Sequence, residues 1–155
     1  MSTGVRDRAP APLLAPEQSE RRPVMLVSLD IGFDETAIEM AIEAALEANS
    51  ELLVCLGVQL PVGNANAAAR RTMGDPVVRE QIREILAVAR AAGAKAQMLV
   101  YNSPRPISAT IGVAQSRRVG LVVFGPNRKR YGRWRFRLHA RRLRRGIDCL
   151  FWPFD

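Results

Sequence analysis

The sequence predicts an α/β protein, a three-layer α/β/α sandwich in which a five-stranded parallel sheet lies between helices. Short apolar runs of strand length alternate along the chain with longer segments whose apolar residues recur every three or four positions. The first runs also lack alternation between apolar and polar residues, which is typical of parallel strands buried on both faces. A chain of 155 residues is long enough for one domain with a single hydrophobic core.

The strands follow an N-terminal segment of different composition. The first 22 residues are rich in Ala, Pro and charged residues and have no periodicity, so we expect a disordered tail over residues 1–22 and a domain over residues 23–155. The five predicted strands are Val24–Leu29, Glu51–Val58, Ala94–Tyr101, Gly120–Phe124 and Ile147–Phe154.

Three helices are predicted between the first four strands. The first has Asp34 as N-cap and buries Ile38, Ala41, Ile42 and Ala45. The second follows a polar loop over Gln59–Gly74, begins at Asp75-Pro76, ends at Gly93 and buries Val78, Ile82, Ile85, Leu86 and Ala89. The third begins at Ser103-Pro104, buries Ile107, Ile111 and Ala114, and ends at Arg117 and Arg118.

The first helix also carries four glutamates at intervals of four residues, which we call the acidic stripe: Glu35, Glu39, Glu43 and Glu47. Like charges at this spacing mildly destabilise an isolated helix. The stripe therefore either faces a basic surface of the same or a second subunit, or is exposed to solvent.

Residues 128–145, the arginine-rich segment, hold ten Lys or Arg side chains, one histidine and no acid. Residues 1–100 have a net charge of −3 and residues 101–155 a net charge of +11, which favours an anionic partner. Within the segment, residues 133–140 alternate strictly between basic and other side chains. They fit an extended ribbon, or a helix that buries Phe136, Ala140 and Leu143 and turns Trp134 and Leu138 outward. An exposed Trp134 suits base stacking or a protein contact, whereas a packed Trp134 would lie against the sheet.

Other residue types argue against several classes of protein. Cys55 and Cys149 both lie in apolar runs without metal-ligand spacing, which indicates free thiols in a reducing compartment. His139 is the only histidine, and the arginines around it should lower its pKa. The sequence has no signal-peptide pattern and no apolar run long enough to span a membrane, so we expect a cytoplasmic protein.

A ligand site is predicted at one edge of the sheet. In open parallel sheets ligands bind beyond the carboxyl ends of the strands, where the strand order reverses. This rule brings together Asp30, the residues after Val58, and residues 125–137, which follow the fourth strand.

Residues 23–155 resemble the universal stress protein family, within the adenine-nucleotide alpha-hydrolase-like folds. The resemblance rests on the order of several short motifs: VMLVSLDIG, ELLVCLGV, ISATIGVA, GLVVFG and a cysteine in the last strand. It implies the strand order 3-2-1-4-5, a homodimer joined near strand five, and no strong catalytic activity. In nucleotide-binding members an Asp at the end of strand one faces the adenine, and a glycine-rich loop holds the phosphates.

The sequence keeps only part of that nucleotide motif. Asp30 matches the aspartate and Gly125 the first glycine, but the later motif positions fall on Arg128, Leu138 and His139, while Gly132 stands at another interval. Side chains at these positions should obstruct a cradle of backbone amides. The expected mode of ATP binding is therefore lost or altered.

Two binding hypotheses follow. Arginines could hold the phosphates of ATP or another ligand directly, and the residues expected nearest to it are Asp30, Val58, Gly125, Asn127, Arg128 and Arg130. Alternatively the crevice is vacant, and the arginine-rich segment docks on nucleic acid or an acidic protein. A third hypothesis is an enzyme of the same fold group. It has the weakest support, because the sequence has neither paired carboxylates nor a glycine-lysine phosphate loop.

Overall fold

The computed structural model describes residues 21–60 and 76–153, which form a parallel sheet of five strands in the order β3-β2-β1-β4-β5. All four neighbouring strand pairs are parallel. The predicted fold class and strand order are thereby confirmed. Residues 1–20 of the predicted tail, Asp75, residues 61–74 of the predicted loop, and Phe154 lie outside the described residues.

The strands are β1 (Val24–Leu29), β2 (Leu52–Gln59), β3 (Ala96–Ser103), β4 (Leu121–Phe124) and β5 (Leu150–Pro153). The bounds of β1 are those predicted, because the strand, apolar except for Ser28, is buried along its whole length. β5 begins later than the predicted Ile147. That residue instead caps the C-terminus of the preceding helix and is itself buried.

The helices are α1 (Glu35–Ala48), α2 (Pro76–Ala91), α3 (Pro106–Ser116), α4 (Arg128–Tyr131) and α5 (Arg133–Gly146). α1 begins as predicted, since the Asp34 carboxylate accepts hydrogen bonds from the N–H groups of Thr36 and Ala37 at 3.0 and 3.3 Å. α3 begins at Pro106 and not at Ser103-Pro104. A proline disfavours helical backbone in the residue before it, and Arg105 accordingly has φ −130° and ψ 76°.

The helices form two layers around the sheet. α1 and α2 cover one face of β1 and β2, and α3, α4 and α5 cover the opposite face, where α3 packs against α5. The acidic stripe therefore lies on the opposite side of the sheet from α5. All four of its glutamates are exposed, and no ion pair joins them to the arginine-rich segment within the described ranges.

The arginine-rich segment is helical, so the extended-ribbon interpretation of residues 133–140 is wrong. Gly132, with φ 91°, separates α4 from α5 in a backbone conformation that favours glycine. α5 buries Phe136 and Leu143 against the sheet. Trp134 is 81% exposed, so its interpretation as a side chain packed on the sheet is also wrong.

Candidate functional site

A cleft of about 460 Å³ opens between α3 and α5 beyond the carboxyl ends of β1 and β2. We call it the α3–α5 cleft. Its lining combines an apolar floor with charged and polar side chains: Leu29, Asp30, Gln59, Pro104, Arg105, Pro106, Ile107, Ser108, Ile111, Arg135, His139 and Arg142. The site lies where the sheet topology predicts ligand binding.

Asp30 ties the end of β1 to its surroundings. It follows the strand directly and has φ 67°, a left-handed conformation that aspartate tolerates better than most residues. Its Oδ1 accepts a hydrogen bond from the Gln59 N–H at 2.9 Å, and its Oδ2 pairs with Arg135 Nη2 at 3.0 Å. Both carboxylate oxygens therefore have a partner within the chain.

The α5 wall of the cleft is basic. One face of α5 carries three of the lining residues at intervals of four and three positions: Arg135, His139 and Arg142. We call this face the basic wall. Arg105 contributes a further guanidinium from the residue before α3. Because Asp30 is the only acidic side chain in the lining and is paired, the cleft carries an excess of positive charge.

Aromatic side chains fix the geometry of this wall. The Arg135 guanidinium lies 4.3 Å from the centre of the Tyr131 ring, and the Tyr131 hydroxyl hydrogen-bonds to His139 Nδ1. Tyr131 in turn meets Phe124 edge to face, with ring centres 6.0 Å apart. The position of Arg135 is thus supported from both its ion pair and its stacking contact.

Two pKa shifts indicate which of the two side chains, Tyr131 or His139, donates in that hydrogen bond. Burial raises the pKa of the Tyr131 hydroxyl, which therefore stays protonated and donates a hydrogen bond to His139 Nδ1. Burial, followed by the charges of Arg135 and Arg142, lowers the pKa of His139. A neutral His139 that accepts at Nδ1 carries its remaining proton on Nε2, as a hydrogen-bond donor.

The start of α3 adds backbone donors to the opposite wall. Arg105 occupies the N-cap position without a side-chain hydrogen bond to the first turn. Pro106 has no N–H, so the first-turn donors without a carbonyl partner in the helix are those of Ile107 and Ser108, and both residues line the cleft. This end of the helix dipole favours negative charge, in agreement with the arginines opposite.

The residues predicted from the sequence are divided among several environments. Asp30 lines the α3–α5 cleft, whereas the Val58 side chain is buried in the core and the next residue, Gln59, reaches the cleft. Gly125 is buried: a Cβ built there would lie 2.3 Å from the Cβ of Ala37. The need for glycine at this position thus comes from packing against α1.

The three remaining predicted residues lie in or beside α4. Asn127 is the N-cap of α4 and accepts a hydrogen bond from the Lys129 N–H at 3.2 Å. The Arg128 guanidinium lies 4.6 Å from the centre of the Phe136 ring. Asn127 and the exposed Arg130 line a second cleft of about 510 Å³ beside α2, so the single predicted crevice is two clefts.

The sequence predicted only part of this lining. The expected crevice contained Arg135, within residues 125–137, and Gln59, directly after Val58, whereas Arg142 belonged only to the arginine-rich segment and Arg105 was not predicted. The spacing of Arg135, His139 and Arg142 was a usable signal, because it puts one imidazole and two guanidinium groups on the same helical face. The part played by Arg105 depends on how α3 approaches α5, which no local pattern gives.

The donor set limits the chemistry of the site. Among residues 21–60 and 76–153, no three His, Cys, Asp or Glu side chains are grouped so that they could hold a metal ion. In the same ranges, no helix has the length and apolar character needed to cross a membrane. The arrangement of guanidinium, imidazole and amide donors is suited to binding an anion.

Comparison with solved structures identifies the fold. A universal stress protein family structure from Burkholderia pseudomallei has a TM-score of 0.63 at 16% identity, covering 86% of this chain and 96% of its own. An Archaeoglobus fulgidus universal stress protein in complex with dAMP gives 0.60 at 13% identity, covering 85% and 97%. A universal stress protein in complex with cAMP gives 0.57 at 17% identity, covering 86% and 96%. No protein-family model and no curated protein matches the sequence.

Proposed function

Because the chain has the fold of universal stress proteins, we propose that it is a non-catalytic binding domain for an adenine nucleotide or a related phosphate compound. The observation that carries this proposal is the α3–α5 cleft, in which three arginines face a single carboxylate that is paired internally. Two structures with the same fold hold dAMP and cAMP, which supports this ligand class.

The basic wall and the start of α3 have the donors that a phosphate group requires. Arg142 and Arg105 approach from opposite walls, and guanidinium groups bind phosphate oxygens through charge-assisted, often bidentate hydrogen bonds. Ile107 and Ile111 offer an apolar surface for a base. In this arrangement side chains replace the backbone cradle that glycines would form, which explains how the altered motif is compatible with binding.

The same contacts argue against catalysis. A general base needs a free carboxylate or imidazole close to the reacting group. Asp30 is held by Arg135 and the Gln59 N–H, and Nδ1 of His139 accepts from Tyr131. The basic wall therefore binds and orients its ligand, and we assign it no chemical step.

The test compares two arginines of the same helix. We expect 1 mM ATP with Mg²⁺, in about 0.3 M NaCl, to raise the thermal unfolding midpoint by several degrees, because a ligand at about 100 times its Kd adds about 2.7 kcal/mol. Arg142→Ala should abolish the shift. Arg133→Ala, an equal loss of charge at an exposed position outside the cleft, should retain it.

Each result has a defined meaning. AMP and inorganic phosphate measured beside ATP show which part of the ligand the cleft recognises. If ATP, AMP and phosphate all leave the midpoint unchanged, the proposal fails. If Arg130→Ala removes the shift and Arg142→Ala does not, the ligand occupies the second cleft and the assignment to the basic wall is wrong.

We further propose that the domain is a cytoplasmic homodimer joined along β5. Support for the dimer comes from the edge position of β5 and from two apolar side chains on one of its faces, Leu150 and Trp152, which are 73% and 50% exposed. Support for a reducing compartment comes from Cys55 and Cys149, which are both free.

A further inference from the structure

α5 has a third face, which neither the core nor the α3–α5 cleft uses. This face carries four residues at intervals of three, four and four positions: Trp134, Arg137, Arg141 and Arg145. They form one row along the helix, which we call the outer row. At a rise of 1.5 Å per residue the row is about 16 Å long. Trp134 and the three arginines are all exposed.

The arginine-rich segment carries charge of one sign. It contains ten Lys or Arg side chains and no acidic residue, and Lys129 and Arg130 of α4 are also exposed. No acidic side chain pairs with the outer row in the part of the chain that the structure describes. Such a surface attracts a polyanion by releasing the counterions of its phosphates.

Trp134 distinguishes this surface from ordinary solvated charge. At 81% exposure it is the most exposed large apolar side chain among the described residues. Leaving an indole in water at the end of a row of arginines forgoes the favourable burial of its area. An aromatic face beside guanidinium groups is the combination on which proteins stack the bases of single strands.

We propose that the outer row binds single-stranded nucleic acid, with Trp134 stacking on a base and the arginines contacting successive phosphates. A duplex would present its bases only by their edges and so would leave the indole without a stacking partner. An anionic membrane needs an apolar helix face, but the apolar face of α5 is buried against the sheet. An acidic protein would supply carboxylates for the arginines but would need an aromatic side chain at a matching position to stack on Trp134, whereas every nucleotide of a single strand brings a planar base with its phosphate.

This surface is independent of the α3–α5 cleft. The basic wall and the outer row lie on different faces of α5, so one substitution can alter either surface alone. Nucleic-acid binding would hold even if the cleft took no nucleotide.

The direct test uses tryptophan fluorescence. The sequence contains two tryptophans, so Trp152→Phe leaves Trp134 as the single indole emitter. We expect a 15-residue oligo-dT to quench this emission at 50 mM salt, because stacking brings a base against the ring. The affinity should fall steeply between 50 and 200 mM salt, and the duplex of the same length should quench much less.

Variants measured by the anisotropy of a labelled oligonucleotide separate the contributions. Trp134→Ala should weaken binding by about tenfold, within the range for loss of one base–aromatic stack. The double variant Arg137→Ala and Arg141→Ala should weaken binding further and reduce the slope of log affinity against log salt by about 1.4, since two phosphate contacts are lost. Arg83→Ala, on α2 at the opposite face of the sheet, should change neither quantity appreciably.

Several results would overturn the proposal. These are an unquenched Trp134, equal quenching by single strand and duplex, or a Trp134→Ala variant with unchanged affinity. Binding of phosphatidylglycerol vesicles or of polyglutamate as tightly as oligo-dT would assign the outer row to a membrane or to an acidic protein instead. Circular dichroism of each variant checks that the helix content of the chain is unchanged.

Discussion

Gly125 occupies a closely packed position between the end of β4 and α1. Its N–H donates to the Val27 carbonyl and its own carbonyl accepts from the Asp34 N–H, both at 3.0 Å. We expect Gly125→Ala to lower the free energy of unfolding by about 1–3 kcal/mol, because the new methyl group would overlap Ala37 and α1 would have to shift. Urea denaturation monitored by circular dichroism measures the change.

Gly112 provides the matched control. It lies within α3, is exposed, and has no atom within 4 Å of where a Cβ would stand. Gly112→Ala should raise stability by about 0.5–1 kcal/mol through better helix propensity. If Gly125→Ala were as stable as the original chain, the close packing of α1 on the end of β4 would be incorrect.

Among single residues, the one at the carboxyl end of β1 was easier to predict from the sequence than the residues that line the cleft. Asp30 was identified because a carboxylate directly after a buried strand is conspicuous. Val58 was predicted to lie near the ligand, but its side chain is buried and that of Gln59 lines the cleft, because successive side chains of a strand point to opposite faces.

The two edges of the sheet allow the proposed dimer to be tested element by element. Leu150→Arg should convert a dimer to a monomer, because a guanidinium at this position would lie in an apolar interface on β5. Leu150 is largely exposed in the single chain, so the fold should survive the change. Sedimentation velocity measures the mass of the particle.

Met98→Arg on β3 is the corresponding change at the other edge, where the side chain is 46% exposed. It should leave the dimer intact. A chain that is already monomeric before substitution, or a Leu150→Arg variant that stays dimeric, would contradict the proposed interface.

The elements differ in how far sequence reasoning could define them. The bounds of β1 followed from its nearly continuous apolar run, whereas residues 133–140 fitted both a strand and a helix periodicity, and only the family resemblance favoured the helix. The structure resolves this ambiguity because only a helix brings Phe136, Ala140 and Leu143 to one face. A choice of this kind depends on tertiary burial, which local alternation does not encode.

For the whole molecule, the separation of charge predicts a response to salt. The acidic stripe faces solvent and contains three like-charged pairs, each costing a few tenths of a kcal/mol. Raising NaCl from 0.05 to 0.5 M should therefore increase the free energy of unfolding by up to about 1 kcal/mol, because screening weakens the repulsion. Chemical denaturation at the two salt concentrations measures it.

Glu43→Gln removes two of the three pairs and isolates their contribution from that of the arginines. The variant should be more stable at low salt and should respond less to added salt. Stability that falls as salt is added would indicate that the acidic stripe is paired with a basic surface, for instance in a second subunit.

The three-layer architecture was predictable because alternating strand and helix signals have few ways to pack. The α3–α5 cleft was not, because its walls come from residues far apart in the chain. Arg105 and Arg142 line the same cleft only because the crossover between β3 and β4 places α3 beside α5. The composition of the cleft therefore depends on the chain topology more than on any local sequence motif.

α5 presents one face to the core, one to the α3–α5 cleft and one to solvent, and this arrangement determines which sequence changes the helix can absorb. Inserting one residue turns the preceding part of a helix by about 100° relative to the part that follows. After residue 137, such an insertion would carry Phe136 out of the core and break the register between Arg135 and His139. Related chains should therefore keep the length of this helix constant.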